Sequence, residues 1–141
     1  MSACCPTPKN DHLPCPSCFQ HNKTLSDDTL FHQLCSPHNQ LIKIQTFYFC
    51  ANPNCKIVYY GNEGDSYTQE DCRWLVGQKQ TSTSKMICYC FDITQQVLLD
   101  ELKTDKKGDI KKFVITQTKA KRCACEIRNP SGRCCLIDFP K

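Results

Sequence analysis

The thiols that could do chemistry fall into two sets. Cys15 and Cys18 stand in PCPSC, and Cys50 and Cys55 stand in FYFCANPNCKIVYYG. A C-x-x-C pair lets two thiolates from one tight turn reach the same ion, and a second such turn closes a tetrahedron of sulfur around it. The second turn here is wider, but Asn52, Pro53 and Asn54 are strong turn formers. Cys15, Cys18, Cys50 and Cys55 are therefore the candidate zinc ligands. A closed four-thiolate site leaves no open position for water or substrate, so the expected role of the metal is structural. The plainer reading of Cys50 and Cys55 is as core thiols, because free cysteine packs as a small hydrophobe.

The second set differs in kind. Cys88 and Cys90 stand in KMICYCFDIT, and Cys123, Cys125, Cys134 and Cys135 stand in RCACEIRNPSGRCCLIDFPK. A C-x-C pair on an extended segment holds two thiols close together, and Asp92-Ile93-Thr94 after it reads as a helix cap. Val97, Leu98 and Leu102 mark one apolar helix face, and Ile110, Phe113 and Val114 mark another after the KTDKKGD turn. Two short helices would bring RCAC back to ICYC. A loop, two helices and a second cysteine loop can surround a cluster rather than a single ion. Asn129-Pro130-Ser131-Gly132 has the composition of a tight turn, which would put Cys125 on one side with Cys134 or Cys135; the plainer reading is an ordinary surface turn.

Bulk composition says why thiols matter here. The chain has 141 residues, 14 of them Cys, and a mean hydropathy of -0.49. Without the cysteines the apolar supply is thin, and small polar chains are usually stabilised by disulfides or metals. MSACCPTPKNDHLP has no charged segment followed by an apolar one, so it is not a signal peptide, and no run approaches the ~20 apolar residues of a membrane span. The expected compartment is the reducing cytoplasm, where clustered thiols hold metals more often than they form disulfides.

Four cysteines stand outside both sets. Cys4-Cys5 reads as an incidental pair in a Pro-rich tail that could catch a soft ion such as Cu(I). Cys35, with His32 and His38 nearby, invites a Cys-His nucleophile, but no third orienting group accompanies it, and a half-buried thiol with satisfied histidines is the expectation. Cys72 reads as a packing residue beside Trp74.

The elements that must position these groups follow. Phe47 to Phe49 and Ile57 to Tyr60 read as the strands of a hairpin, with Cys50 and Cys55 at its turn. The expected division is a flexible tail at 1–11, a zinc-ribbon-like module at 12–61, a connector at 62–85 with a short helix near Thr68 to Val76, and a cluster-binding module at 86–141. QKQTSTSK at 78–85 reads as the linker. Both halves are small, so they are expected to pack as one unit.

In combination, CPSC, FYFCANPNCKIVYYG, ICYCF, the helical pair and C-x-C-E-I-x-N-P-S-G-R-C-C-L resemble the cysteine-rich N-terminal domain of the CopZ copper chaperones over about residues 12–138. The later part is also similar to bacterioferritin-associated ferredoxin. The resemblance implies a small α+β, metal-stabilised protein: a zinc-ribbon-like β-hairpin half, then a helical half carrying a 2Fe-2S cluster. It implies Cys88 and Cys90 as the first two cluster ligands. The others come from Cys123 or Cys125 and from Cys134 or Cys135, and the CopZ pattern favours Cys125 and Cys135. CPSC lacks the Met of the family's M-x-C-x-x-C copper loop, and no such loop follows before Lys141; copper carriage by that route is not expected of these residues.

The resulting expectation is a cytoplasmic protein holding zinc and a 2Fe-2S cluster, transferring single electrons in copper homeostasis by reducing Cu(II) and handling Cu(I). No acid/base pair or substrate pocket is evident, so no enzyme class is assigned. Net charge is +4, and Lys and Arg outnumber Asp and Glu in 103–141. Lys119, Lys121, Arg122, Arg128 and Arg133 could steer an acidic redox or copper-transport partner. Nucleic acid ranks lower, since a solvated helix face accounts for much of KTDKKGDIKK. Two rivals are a zinc-only adaptor for nucleic acid or protein, and a thiol-rich metal buffer.

Overall fold

A computed structural model describes residues 13–139; the tail with Cys4 and Cys5 lies outside the described residues. A four-stranded antiparallel sheet is formed by β1 (Thr24–Leu25), β2 (Phe47–Phe49), β3 (Ile57–Gly61) and β4 (Ser66–Thr68), in that spatial order. The expected hairpin is its centre: Phe47 pairs with Gly61, Tyr48 with Tyr60 and Phe49 with Tyr59.

Both faces of this sheet are covered, which is why β2 and β3 are buried throughout. Phe47 and Phe49 point to a core built with Leu25, Leu30, Leu34 and Val76. Tyr48 points the other way, to a core shared with Cys15, Cys50 and Cys55, as the two-residue period of a strand requires. β3 breaks that period. Its pairing shifts register between Ile57 and Tyr59, so Val58 and Tyr59 both join the first core while Ile57 and Tyr60 join the second, the usual consequence of an extra residue in one strand.

Helix α1 (Asp27–Gln33) packs on the first face. Ser26 caps it by accepting from Asp28 N–H, and Asp27 and Asp28 favour its positive N-terminal end. The region 68–76, expected to be helical, is not a helix. Asp71 accepts from the Thr68 N–H at 2.9 Å, a single 3-10 turn covers Gln69–Asp71, and the chain then pairs Leu34 with Cys72. The Asp71 carbonyl takes the Cys35 N–H at 2.9 Å and the Arg73 N–H goes to Gln33 at 2.8 Å. Backbone groups committed to α1's exit cannot continue a helix.

Residues 78–85 are anchored rather than loose. Gln95 N–H donates to Lys85 O at 3.0 Å and Gln96 N–H to Thr83 O at 2.8 Å. Lys79 Nζ reaches Asn52 O at 2.6 Å. Beyond them, β5 (Met86–Cys88) and β6 (Ile93–Thr94) form a small hairpin, followed by α2 (Gln95–Glu101), α3 (Asp109–Lys119) and the short α4 (Cys125–Arg128). Thr94 caps α2 through the Val97 N–H, as its position predicts. Leu98 and Val114 are the buried members of the two expected faces, whereas Val97, Leu102 and Phe113 are partly open to solvent. Phe113 nonetheless meets Phe91 edge to face, with centroids 5.5 Å apart.

The two halves join at α4. Gln33 Nε2 donates to Ile127 O at 2.8 Å and to Arg128 O at 2.9 Å, the Thr29 hydroxyl donates to Glu126 O, and the Tyr59 hydroxyl donates to Pro130 O at 2.5 Å. Gly132, at φ +72, closes the Asn129 turn with its N–H on Asn129 O at 2.8 Å. A Cβ there would lie 2.9 Å from Thr29 Oγ1 and 3.0 Å from Leu25 Cδ1.

Gln33→Leu is expected to cost roughly 2–4 kcal/mol, because two buried carbonyls lose their donor, and Gly132→Ala roughly 1–2 kcal/mol for the left-handed backbone alone. Denaturant titration of the metal-loaded protein measures both. Burial lifts the Tyr59 phenol well above its usual range, and burial also pushes Tyr60 and Tyr89 up to about 12. The unfolded chain therefore ionises these groups first. Their contribution is intact below about pH 10 and declines as pH rises beyond it, so unfolding free energy measured against pH should fall on the alkaline side, less steeply in Tyr59→Phe.

Candidate metal centres

The first knuckle is a tight turn. The Cys15 carbonyl accepts the Phe19 N–H at 2.8 Å, the Cys15 N–H donates to Gln20 O at 2.9 Å, and Pro14 bridges to His21. The second knuckle is pinned by the hairpin: Cys50 N–H donates to Val58 O at 2.8 Å and Cys55 N–H to Asn52 O at 3.1 Å, while the Asn52 side chain accepts the Asn54 N–H at 3.0 Å.

These turns bring the four thiols together. Cys15 and Cys55 sulfurs lie 3.8 Å apart and Cys18 and Cys50 sulfurs 3.6 Å apart, and all four fall within 4.8 Å of one another. A tetrahedral zinc with Zn–S near 2.3 Å needs sulfurs about 3.8 Å apart. The electrostatics point the same way. Burial opposes ionisation of Cys18, but hydrogen bonds from the Gln20 backbone, Asn52 and neighbouring thiols outweigh it and lower the thiol to about 6. Burial raises Cys15, and it pushes Cys50 up to about 12. Four thiolates cannot share so small a volume unless a cation offsets them.

Asn22 holds the two knuckles in register. It is buried; its Nδ2 donates to Gln20 O at 3.0 Å and to the Tyr60 hydroxyl at 3.2 Å, and its Oδ1 accepts the Ala51 N–H at 3.1 Å. One side chain thus ties the C-x-x-C turn to the C-x4-C turn and to β3. Nothing in the spacing of QHNK marks it, because its partners are 29 and 38 residues away. Tyr60, stacked on Tyr48 at 5.1 Å, donates its own hydroxyl hydrogen bond to Leu13 O.

The second set forms two thiol pairs rather than one compact group. Cys90 and Cys125 sulfurs lie 3.8 Å apart, and Cys88 and Cys135 perturb each other's ionisation. Cys125 opens α4 and Cys135 opens a 3-10 turn over Cys135–Asp138. The Ala124 N–H donates to the Cys90 sulfur at 3.0 Å, and the nearby backbone of Phe91 and Cys90 favours the thiolate of Cys88, as that of Cys135 does for Cys125. The Cys135 thiol lowers Cys88 to about 6, against the effect of burial, and is itself raised. Burial pushes Cys125 up to about 12. Around them pack Ile87, Ile93, Leu98, Val114 and Phe139. Cys123 lies at the edge of this core. Cys134 lines a cleft of about 500 Å³ between the halves, with His21, Lys23 and Arg133.

Cys35 and Cys72 join neither set. Cys35 is half-buried, with its sulfur 3.9 Å from Glu70 O, and His38 pairs with Asp71 at 3.0 Å instead of with the thiol. The Cys72 thiol donates to Thr68 O at 3.5 Å, and burial, then Asp71, pushes it up to about 12. It packs against the first core, but Trp74 is 52% exposed and not part of that packing.

Comparison with known proteins agrees with this geometry. Residues 12–73 match the family described as the CopZ zinc binding domain, a stretch that contains Cys15, Cys18, Cys50 and Cys55. The chain is 37% identical over 89 residues to the copper chaperone CopZ of Archaeoglobus fulgidus. That alignment takes in 63% of this chain and 42% of the relative, so the chain spans well under half of that protein. The fold is similar to the X-ray structure of the Archaeoglobus fulgidus CopZ N-terminal domain, with a TM-score of 0.73 and 28% identity over 91% of this chain and 99% of that one. No helix among the described residues is long and apolar enough to cross a membrane.

Asn22→Ala is expected to weaken zinc binding about 10- to 100-fold with all four thiols in place, the usual cost of losing a group that orients ligands. Competition against a chromophoric chelator measures it.

Proposed function

We propose that this chain is a cytoplasmic zinc- and 2Fe-2S-containing protein that transfers single electrons in copper handling. Zinc is held by Cys15, Cys18, Cys50 and Cys55 as a structural ion. Cys88, Cys90, Cys125 and Cys135 hold the cluster. The observation that carries this reading is the 3.8 Å approach of the Cys90 and Cys125 sulfurs, beside Cys88 and Cys135, which perturb each other's ionisation. Two adjacent thiol pairs suit a two-iron centre, each pair serving one metal, better than a single tetrahedral ion. The chain divides into a zinc ribbon at 12–61, a connector at 62–85 and a cluster module at 86–141, packed as one unit.

When bound, the cluster supplies a one-electron couple. The Ala124 N–H and the backbone of Phe91, Cys90 and Cys135 are placed to hold negative charge on the ligand sulfurs, which favours the reduced state. Copper is cargo in this reading. Cu(II) takes one electron near these thiols and leaves as Cu(I), the soft form that thiolates retain and exchange. Lys119, Lys121, Arg122, Arg128 and Arg133 favour an acidic redox or copper-transport partner. The likeness to a copper chaperone, in sequence and in its N-terminal domain's fold, supports this direction.

Anaerobic purification should give a red-brown protein with iron and acid-labile sulfide equimolar and each at twice the zinc. Cys90→Ser and Cys125→Ser should lose the visible spectrum and keep zinc, while Cys123→Ser and Cys134→Ser keep both. A colourless chain that retains zinc alone after attempted reconstitution would overturn the redox reading and leave a zinc-only adaptor.

A further inference from the structure

A second cavity, of about 600 Å³, lies against the polypeptide that carries the second set of thiols. Its wall includes Tyr89, which stands between Cys88 and Cys90, and Ile127 and Arg128 of α4, the helix that Cys125 opens. The volume is far above that of a single ion and falls within the range of about 300–1,000 Å³ typical of small-molecule sites.

The lining specifies a chemistry. Trp74, Leu75, Met86, Tyr89 and Ile127 give it an apolar and aromatic side, of which Trp74 and Leu75 are exposed, with Gln80, Ser82 and Ser84 beside them. The charged groups are Lys85 and Arg128 against Asp92 alone, so the field favours an anion. An aromatic surface beside two fixed cations suits a planar ring carrying a phosphate.

The cavity is also built in advance. The Tyr89 hydroxyl donates to Leu75 O at 2.7 Å and accepts the Gly77 N–H at 2.7 Å, which fixes the ring at the wall. Gly77 also leaves room for the Met86 carbonyl, since a Cβ there would lie 2.1 Å from Met86 O and 3.2 Å from the Tyr89 hydroxyl. The backbone of Ile127 and Arg128 is held from behind by Gln33. The Tyr89 ring and the backbone of Ile127 and Arg128 thus need no ordering on binding and lose little entropy to the ligand.

We propose that this cavity binds a phosphorylated flavin of the flavin mononucleotide class, its ring against Trp74 and Tyr89 and its phosphate toward Lys85 and Arg128. The preference for a redox-active ring rests on the cluster reading above, because the wall includes the segments that carry three of the proposed cluster ligands, Cys88, Cys90 and Cys125. Binding of a phosphorylated aromatic anion as such rests on the cavity alone.

The test is a titration of flavin mononucleotide into the anaerobically purified, zinc-loaded chain by calorimetry, with emission from Trp74, the chain's single tryptophan, as a local reporter. Saturable binding is expected, weakened about tenfold or more by Lys85→Gln or Arg128→Gln, which remove a charge-assisted contact, and weakened similarly when riboflavin replaces the nucleotide. Trp74→Ala should weaken binding and Trp74→Phe should restore it. These side chains are at the surface or rim, and unchanged zinc content shows that each variant is folded. Absence of saturable heat, or affinity unchanged across all the variants, would overturn the proposal. Equal affinity for adenosine monophosphate would overturn the assignment of a flavin ring. Iron and sulfide analysis of the same samples keeps the two readings apart: nucleotide binding by a chain that stays iron-free after attempted reconstitution upholds the cavity and sinks the cluster, and a fully iron-loaded chain that binds no nucleotide sinks the cavity alone.

Discussion

The carbonyl end of α4 depends on donors from the other half of the chain. A four-residue helix cannot satisfy its own last carbonyls, and here Thr29, Gln33 and Tyr59, all fully buried, supply the donors for Glu126, Ile127, Arg128 and Pro130. α4 is thereby shaped by α1 and β3 rather than by helix propensity, which four residues could not provide. Because Cys125 opens α4, the position of that thiol against Cys90 follows from hydrogen bonds made about 95 residues away in sequence. The zinc-side half and the later thiols are therefore one structure.

This dependence runs back to the thiol cage at the hairpin. Tyr59 is aimed by β3, and β3 is held between β2 and β4 with its end fixed at the Cys50 and Cys55 turn. The bulge at Ile57 to Tyr59 turns Val58 and Tyr59 to the α1 side while leaving Ile57 and Tyr60 on the thiol side. One strand thus serves both the cage and the contact that shapes α4. Free energies of roughly 10–16 kcal/mol, of the size measured for structural zinc in small peptides, are large against the stability of a domain of this size, so loading such a cage would govern the whole assembly.

Cysteine does two jobs in these cores. Cys15, Cys50 and Cys55 pack with Tyr48, Ile57 and Tyr60, and Cys88, Cys125 and Cys135 pack with Ile87, Ile93, Leu98 and Val114. A thiol is a small apolar group when neutral and a ligand when ionised. The same burial that raises Cys50 and Cys125 to about 12 makes their thiolates costly without a cation. A chain poor in other apolar residues can in this way build its interior around its ligand sites.

The sequence by itself determined what is local. C-x-x-C spacing, the Asn-Pro-Asn turn between two aromatic-rich strands, the Thr94 cap and the Asn129 to Gly132 turn are all legible, because each depends on neighbours a few residues apart. So is the grouping of Cys15, Cys18, Cys50 and Cys55. What only the tertiary structure decided are the contacts that span the chain. Asn22 between the knuckles, Gln33 on α4, the outward Trp74 and the cavity around Tyr89 have no spacing signature. The absence of a helix at 68–76 has the same origin: its backbone hydrogen-bonding groups were claimed by the exit of α1. Side-chain type and short spacing set which groups can form a turn or a cap, whereas a buried hydrogen bond forms only where the fold leaves a distant backbone group with no other partner.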